Sequence, residues 1–424
     1  MIRFVAAFVA VLACAGIAVA QDRQAISGDT PLTLEAALAA ARARSPGLAV
    51  VDAGARAANA ARGVAGLQPN PSVEATVENV AGTGDYRGLS GAETTVALAL
   101  PIELGGKRAA RVAVADARID RARIATAVAL ADFELKVSQA YIAAASAERR
   151  LVVAREQAAI AREALRVSSV RVTAGAAPPI DRQRSEVLAV NAETAAGGAS
   201  RSLDLARANL ARLTGLAVIG SLDLGWFERV EGFGPSAAAR SDGTLALAAA
   251  SAEVTTAEAQ VRLARSLRIP DVTVRAGARR LEATKDVAAV FGVSLPIPLF
   301  NNGSSAIGQA RAERDQAEAQ RRLARDEAEQ AIGEAETDVA NAAASARAAR
   351  GPALAAAQEA ARIARIGYAQ GKFGQIELLD AERTLSETRA AATDALATYH
   401  DARARLRRLT QATPTMAPLA GDKQ

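Results

Sequence analysis

A chain of 424 residues has room for two or three ordinary domains. Half of it is hydrophobic but only 3% is aromatic, and alanine carries much of the apolar content, which excludes one large mixed core and points to long helices in close contact. Its 51 basic and 46 acidic residues leave a formal net charge of +5 with both signs interspersed and no compact basic patch among aromatics, so a solvated helical surface is expected and no nucleic-acid partner.

The first predicted element is a leader. Met1-Ile2-Arg3 is a short basic start, "FVAAFVAVLACAGIAVA" (4–20) is an apolar core, and Ala18-Val19-Ala20 is a small-x-small ending before polarity returns at Gln21-Asp22. That layout reads as a signal peptide over 1–20, cleaved after Ala20. The alternatives are an uncleaved membrane anchor, for which seventeen apolar residues is at the lower edge of spanning length, and lipidation of Cys14, whose "VLAC" setting resembles a lipoprotein box; the Ala-x-Ala ending argues against the first and the apolar "AGIAVA" after the cysteine against the second. Cleavage leaves a mature chain without cysteine, hence without disulfide or thiol chemistry.

The remainder reads as two repeats, 21–215 and 242–411, joined by a glycine-rich linker (216–241) that holds Trp226 and followed by a flexible tail (412–424). Leu100-Pro101-Ile102 returns as Leu295-Pro296-Ile297, Gly175 as Gly371, and Arg212-Leu213-Thr214 as Arg408-Leu409-Thr410, all at an offset of 195 or 196. Each half begins with a helical stretch (31–68; 243–268). Two strands follow (71–79 and 93–100; 271–279 and 288–295), then a very long helical run (107–172; 304–368). A Gly/Pro turn (173–180; 370–375) leads into a helix running back (181–214; 376–410). Pro46 is expected to split the first helix, and Gly351-Pro352 to kink the second long one. The first long run has neither proline nor glycine inside it and would extend about 100 Å at 1.5 Å per residue. Its two apolar stripes, Val112/Ile119/Phe133 and Val128/Leu135/Ile142, suit a helix with neighbours on both sides, as in the wall of a tube.

The strands alternate with period 2. Val73, Ala75 and Val77 oppose Glu74, Thr76 and Glu78. Val96, Leu98 and Leu100 oppose Thr95, Ala97 and Ala99. Val272, Val274, Ala276 and Ala278 oppose Thr273, Arg275 and Arg279, and Ala289, Phe291, Val293 and Leu295 oppose Gly292 and Ser294. Taken singly, each fits a half-buried strand of a soluble sheet. Four of them behind a signal peptide match apolar-out, polar-in membrane strands, with Glu74, Thr76, Glu78, Thr273 and Arg275 in a watery lumen. Four strands cannot close a barrel and open edges are not tolerated in lipid, so this reading requires several copies around one barrel. Pro101 is expected to end its strand, and "ELGGKR" to turn it into helix; the second copy exchanges Gly-Gly for Phe-Asn.

The chemistry of a catalyst is missing. His400 is the single histidine and is expected to pack or to lie on the surface. With no mature cysteine, no His/Cys metal cluster can assemble. "GGKR" (105–108) lacks phosphate-loop spacing, and "GTGDYRG" is no dinucleotide fingerprint. Neither an enzyme nor a cofactor is expected.

Two strands, a long helix pair, a linker and the same again resembles the outer-membrane factor (TolC-like) efflux proteins, the exit ducts of bacterial efflux pumps and type I secretion. "GTGDYRGLSGAETTVALALPIELGGKR" (82–108) is most similar to the outer-membrane components of cobalt–zinc–cadmium-type heavy-metal efflux systems, and "LPIPLFNNG" (295–303) is shared more widely in the family. The resemblance implies a mainly α fold with a membrane β-barrel portion: a homotrimer with four barrel strands per chain above a long antiparallel helical tube. The implied partners are outer-membrane lipid, a periplasmic adaptor (membrane fusion) protein and an inner-membrane resistance-nodulation-division-type pump. The implied adaptor-contacting tips are Gly175-Ala176 and Gly371-Lys372-Phe373. The family's acid-x-x-acid-Ala pattern at the aperture falls on Glu377, Asp380 and Ala381. Asp181 is the acid kept in the first half, where Arg184 stands at the second position, and Tyr368 matches a gate tyrosine. The family's basic residue five positions on is here Phe373. A periplasmic coiled-coil adaptor or structural protein without a barrel is the rival reading, and drugs or secreted proteins are rival cargoes to metal cations.

Overall fold

The computed structural model describes residues 31–44, 46–231 and 241–413. The expected leader, Cys14 and the tail beyond Thr413 lie outside the described residues.

Helix α1 (Leu34–Arg44) stops where α2 (Pro46–Ala65) begins, at the expected proline. Strands β1 (Ser72–Glu78) and β2 (Glu93–Ile102) lead into α3 (Lys107–Thr173), which turns into α4 (Pro179–Thr214). A short α5 (Leu224–Phe227) precedes α6 (Leu245–Ser266), β3 (Val272–Leu281) and β4 (Val287–Ser294). The second long helix is α7 (Ser304–Ala348), a single π turn (Ala349–Ala353) and α8 (Leu354–Ala369), and α9 (Gln375–Leu409) runs back. The interruption falls where Pro352 removes a backbone donor and Gly351 leaves helical geometry (φ −90°, ψ −105°). α3 meets no such break and continues for 67 residues.

The helices lie side by side. α3 contacts α2, α4, α6 and α9, and α7 contacts α6 and α9. One substantial core sits at mid-length, where Val137, Tyr141, Leu210, Phe227, Val339, Leu396 and Tyr399 meet. Elsewhere contacts are largely alanine, as with Ala158, Ala161, Ala189 and Ala192 between α3 and α4, or Ala357 and Ala361 against Leu385. Small side chains let long helices approach closely, and a thin wall has no interior for aromatics to fill; the low aromatic content follows from that geometry.

The strands form one antiparallel sheet in the order β1-β2-β3-β4. Its register puts Val73, Leu98, Ala276 and Phe291 in one row, and Ala75, Val96, Ala278 and Ala289 in the next, so the apolar positions share a face. The strands differ from expectation at their ends. β2 does not stop at Pro101 but pairs through it, Pro101 with Thr273 and Ile102 with Val272. β1 begins only at Ser72, opposite Ala99, so among the described residues β2 has no neighbour on that side beyond Ala99 and the missing proline N–H costs the ladder nothing. Among the described residues no helix is long and apolar enough to cross a membrane.

Three further expectations need correction. The Gly-Gly at 105–106 is not exchanged for Phe-Asn in the second half. Gly106 (φ 70°) and Gly303 (φ 78°) both stand in left-handed geometry immediately before a long helix, so Gly303 is the counterpart and the second β-to-α loop is the longer one. The linker is no simple tether: Leu222 bridges Leu32, and α5 sends Phe227 into the core. Its residues 232–240 lie outside the described residues. The tail begins fixed, with Ala412 bridged to Thr244 and Thr413 N donating to Gly243 O at 2.9 Å.

Candidate duct lining and aperture

The polar face of the sheet gathers every strand residue that the sequence assigned to a lumen. Glu74, Thr76 and Glu78 project from β1, and Thr273 and Arg275 from β3, all on the side opposite Val73 and Leu98. Arg275 reaches across β2 to Glu74 at 3.4 Å, over the small side chains of Ala97 and Ala99. Arg279, on the same face, joins Glu78 at 3.2 Å and Glu93 at 2.7 Å and donates to Thr95 Oγ1 at 3.0 Å. Gly277 permits the close strand approach beneath them: a Cβ there would stand 2.3 Å from Val96 O.

At the far end of the helices the two turns are the same motif. Ala176 N donates to Arg171 O (2.8 Å) and Gly175 N to Val172 O (3.0 Å); Lys372 N donates to Gly367 O (2.8 Å) and Gly371 N to Tyr368 O (3.0 Å). These are paired Schellman closures, with Gly175 (φ 70°) and Gly371 (φ 73°) at the left-handed position that disfavours a Cβ. Ala176, Lys372 and Phe373 are exposed beside them, although the Phe373 ring also covers the bare Cα of Gly367, where a Cβ would lie 2.1 Å from it.

α9 then sorts its acids by face. Gln375, Leu378 and Glu382 are buried, while Glu377 and Asp380 are exposed together on another side, three residues apart. Neither makes an ion pair within the described residues. Glu382, by contrast, is spent inward on Arg365, both of whose bonding nitrogens meet its carboxylate, and that hydrogen bonding raises the Arg365 pKa above its ordinary value. Tyr368 is buried against Leu378 and Ala364. Asp181 is half-buried in the first turn of α4, near the positive end of the helix dipole.

The structure brings these two regions of each half together through residues that sequence reasoning missed. The Arg171 guanidinium lies 4.9 Å from the Tyr368 ring centroid, joining the end of α3 to the end of α8. Gln375 Nε2 donates to Asp181 O at 2.9 Å and also to Ser185 Oγ, joining α9 to α4. The only signal available was position next to the repeated glycine turns; an isolated Arg or Gln on a polar helix carries none. The barrel-face cluster and the turn cluster occupy opposite ends of the helices and share no residue.

A third polar group sits in the mid-length core. Tyr141 Oη donates to Leu32 O at 2.7 Å and accepts from Asp223 N at 3.2 Å; burial pushes its pKa up to about 12. His400 packs, as the sequence allowed. Its ring stacks on Trp226 (centroids 4.2 Å apart), and Nε2 donates to Phe227 O at 2.8 Å. Burial lowers the His400 pKa to about 4, so the ring stays neutral at ordinary pH. Among the described residues, no three His, Cys, Asp or Glu side chains converge as a metal site.

Comparison with known proteins agrees with this architecture. Residues 37–216 and 241–411 match the family described as outer membrane efflux protein. The chain is 30% identical over 375 residues to the cobalt-zinc-cadmium resistance protein CzcC of Cupriavidus metallidurans, with 85% of each chain covered. It is 31% identical over 293 residues to the nickel and cobalt resistance protein CnrC of the same organism, covering 68% of this chain and 70% of that one. The solved structure of CusC has the same fold, with a TM-score of 0.74 at 15% identity over 90% of this chain and 92% of that one. The chain belongs to the outer membrane efflux protein family and is an exit duct seated in the outer membrane and reaching into the periplasm.

Proposed function

We propose that three copies of this chain form one duct that passively conducts heavy-metal cations out of the periplasm. The observation that carries the cargo assignment is the similarity to CzcC along 85% of both chains. That several copies share one barrel is supported by the sheet, whose outer strands β1 and β4 are unpaired among the described residues, since lipid tolerates no open edge; the number three, giving twelve strands, rests on the family resemblance. In that assembly the halves 21–215 and 242–411 each supply two strands and one long hairpin, after removal of the leader 1–20. The face bearing Glu74, Thr76, Glu78, Thr273 and Arg275 turns to water and the face bearing Val73, Leu98 and Phe291 to lipid.

Glu377 and Asp380 of three chains form two stacked acidic rings at the periplasmic aperture, with Asp181 beside them and Tyr368 behind. Rings of carboxylates attract cations and repel anions without holding either in a fixed site, as a conduit requires. The turns at Gly175-Ala176 and Gly371-Lys372-Phe373 meet a periplasmic adaptor, which links the duct to an inner-membrane pump of the resistance-nodulation-division type. The pump supplies the work; the duct supplies a path.

Deletion of the gene, with tolerance to zinc, cobalt and cadmium measured against a drug panel, tests the cargo. Loss of metal tolerance restored by the intact gene is expected. Unchanged metal tolerance with altered drug tolerance would overturn the metal assignment.

A further inference from the structure

The two β-to-α junctions are built differently. After β2 the chain folds back onto its own second half. Gly105 (φ 71°) presses against Ile269, whose Cβ lies 2.8 Å from where a Cβ on Gly105 would stand. Leu104 N donates to Asp271 Oδ1 at 3.0 Å, and the buried Lys107 pairs with the same carboxylate at 2.7 Å. The segment just before β3 thus covers the first junction. After β4 the corresponding loop meets its own chain only at its end, where Gly303 lies against Arg268, and its apolar side chains are left exposed. Ile297 is 74% exposed, Leu299 79%, and Phe300 completely. The loop is nevertheless shaped, with prolines at 296 and 298 and a Leu299 N to Ile297 O hydrogen bond of 2.9 Å. A preformed run of exposed apolar side chains marks a surface that something covers.

The topology identifies the cover. β1 and β3 run one way and β2 and β4 the other, so β4 ends at the end of the sheet where β1 begins. If β4 of one copy pairs with β1 of the next, the loop after β4 falls beside the segment before that β1. Residues 103–105 meet the segment before β3 in the same way within one chain. The segment before β1 carries its own exposed apolar pair, Val64 (69%) and Leu67 (64%), at the end of α2 and just beyond it.

We infer that Ile297, Leu299 and Phe300 dock on Val64 and Leu67 of the partner subunit, forming an apolar clasp at the base of each strand seam. The clasp rests on the proposed trimer and deepens it by assigning the contact that reproduces, between copies, the junction found within one. It also accounts for the longer second loop: a junction that must reach another chain carries bulky apolar residues, and one that folds onto its own chain carries Gly-Gly.

The test is disulfide trapping of Phe300→Cys with Leu67→Cys in a Cys14→Ser background, in outer-membrane fractions, with the assembly state read separately by native mass spectrometry. Covalent trimers from the double variant, and none from either single variant, are expected. Intact trimers without cross-linking would overturn the clasp and leave the trimer standing, whereas monomers by native mass would overturn the trimer itself. Phe300→Trp, reconstituted with brominated phospholipid, gives an independent reading: fluorescence quenched no more than that of the unaltered chain is expected, and strong quenching would assign Phe300 to lipid instead.

Discussion

Glu377 and Asp380 differ from Glu382, five and two residues further on, only by helix face, and the face decides what each carboxylate can do. Glu382 is consumed by Arg365, while Glu377 and Asp380 stand exposed with no ion pair among the described residues, which is what the proposed acidic rings require. Replacing both, Glu377→Ala with Asp380→Ala, is expected to lower the cation-over-anion permeability ratio about tenfold, equivalent to ~1.4 kcal/mol, as read from reversal potentials in planar bilayers. Unchanged reversal potentials would remove these residues from the aperture. His400 makes a different prediction. Its pKa is lowered from 6.5 to about 4, so below 6.5 the unfolded chain takes up a proton that the folded one refuses. Its contribution to folded stability is complete above pH 6.5 and is lost as pH falls toward 4, at up to about 1.4 kcal/mol per pH unit. His400→Phe should therefore flatten the fall in melting temperature of the detergent-solubilised protein across that window, even if it lowers the value at neutral pH; parallel curves would contradict this. At this scale the sequence was legible where a spaced pattern fixes a shared face, as with the alternating strand positions on the two sides of the sheet and Glu377 and Asp380 on one exposed side of α9. Arg171, Gln375 and Ser185 were not legible, because their partners lie about 190 or more positions away and only the fold reveals the pairing.

The long helices were readable because their signal is local. α3 lacks glycine and proline throughout, and α7 and α8 are parted where Gly351-Pro352 predicts. The strand ends were harder. Whether a proline ends a strand depends on whether a neighbour needs its N–H, and Pro101 has none on the β1 side. The linker misled for a similar reason: its glycines describe the backbone, whereas Trp226, Phe227 and their partners Tyr141 and His400 decide where it rests. The junction after β2 offers a matched pair of substitutions. Gly105→Ala meets both left-handed strain and the Ile269 side chain, whereas Gly106→Ala, with φ 70° and open space around it, meets strain alone. Gly106→Ala is expected to cost about 1–2 kcal/mol and Gly105→Ala about 1–3 kcal/mol more. Denaturant midpoints of the two variants side by side check the order, and equal midpoints would contradict the packing described at Ile269.

At the scale of the whole molecule, the chain is unfinished by itself. Among the described residues it presents an apolar sheet face with no protein over it, two open strand edges, and exposed apolar residues on both sides of the seam that closure would form. The sequence made the need for several copies legible, since four strands cannot close and edges cannot face lipid. It could not supply the number three by strand counting, and that number came from family resemblance. The measurement that tests the duct most directly is fractionation of cells expressing the chain, followed by gel electrophoresis with and without boiling. Protein in the outer-membrane fraction is expected, migrating as three chains until heated, then as one. A soluble periplasmic monomer, the behaviour expected of a coiled-coil adaptor, would contradict it.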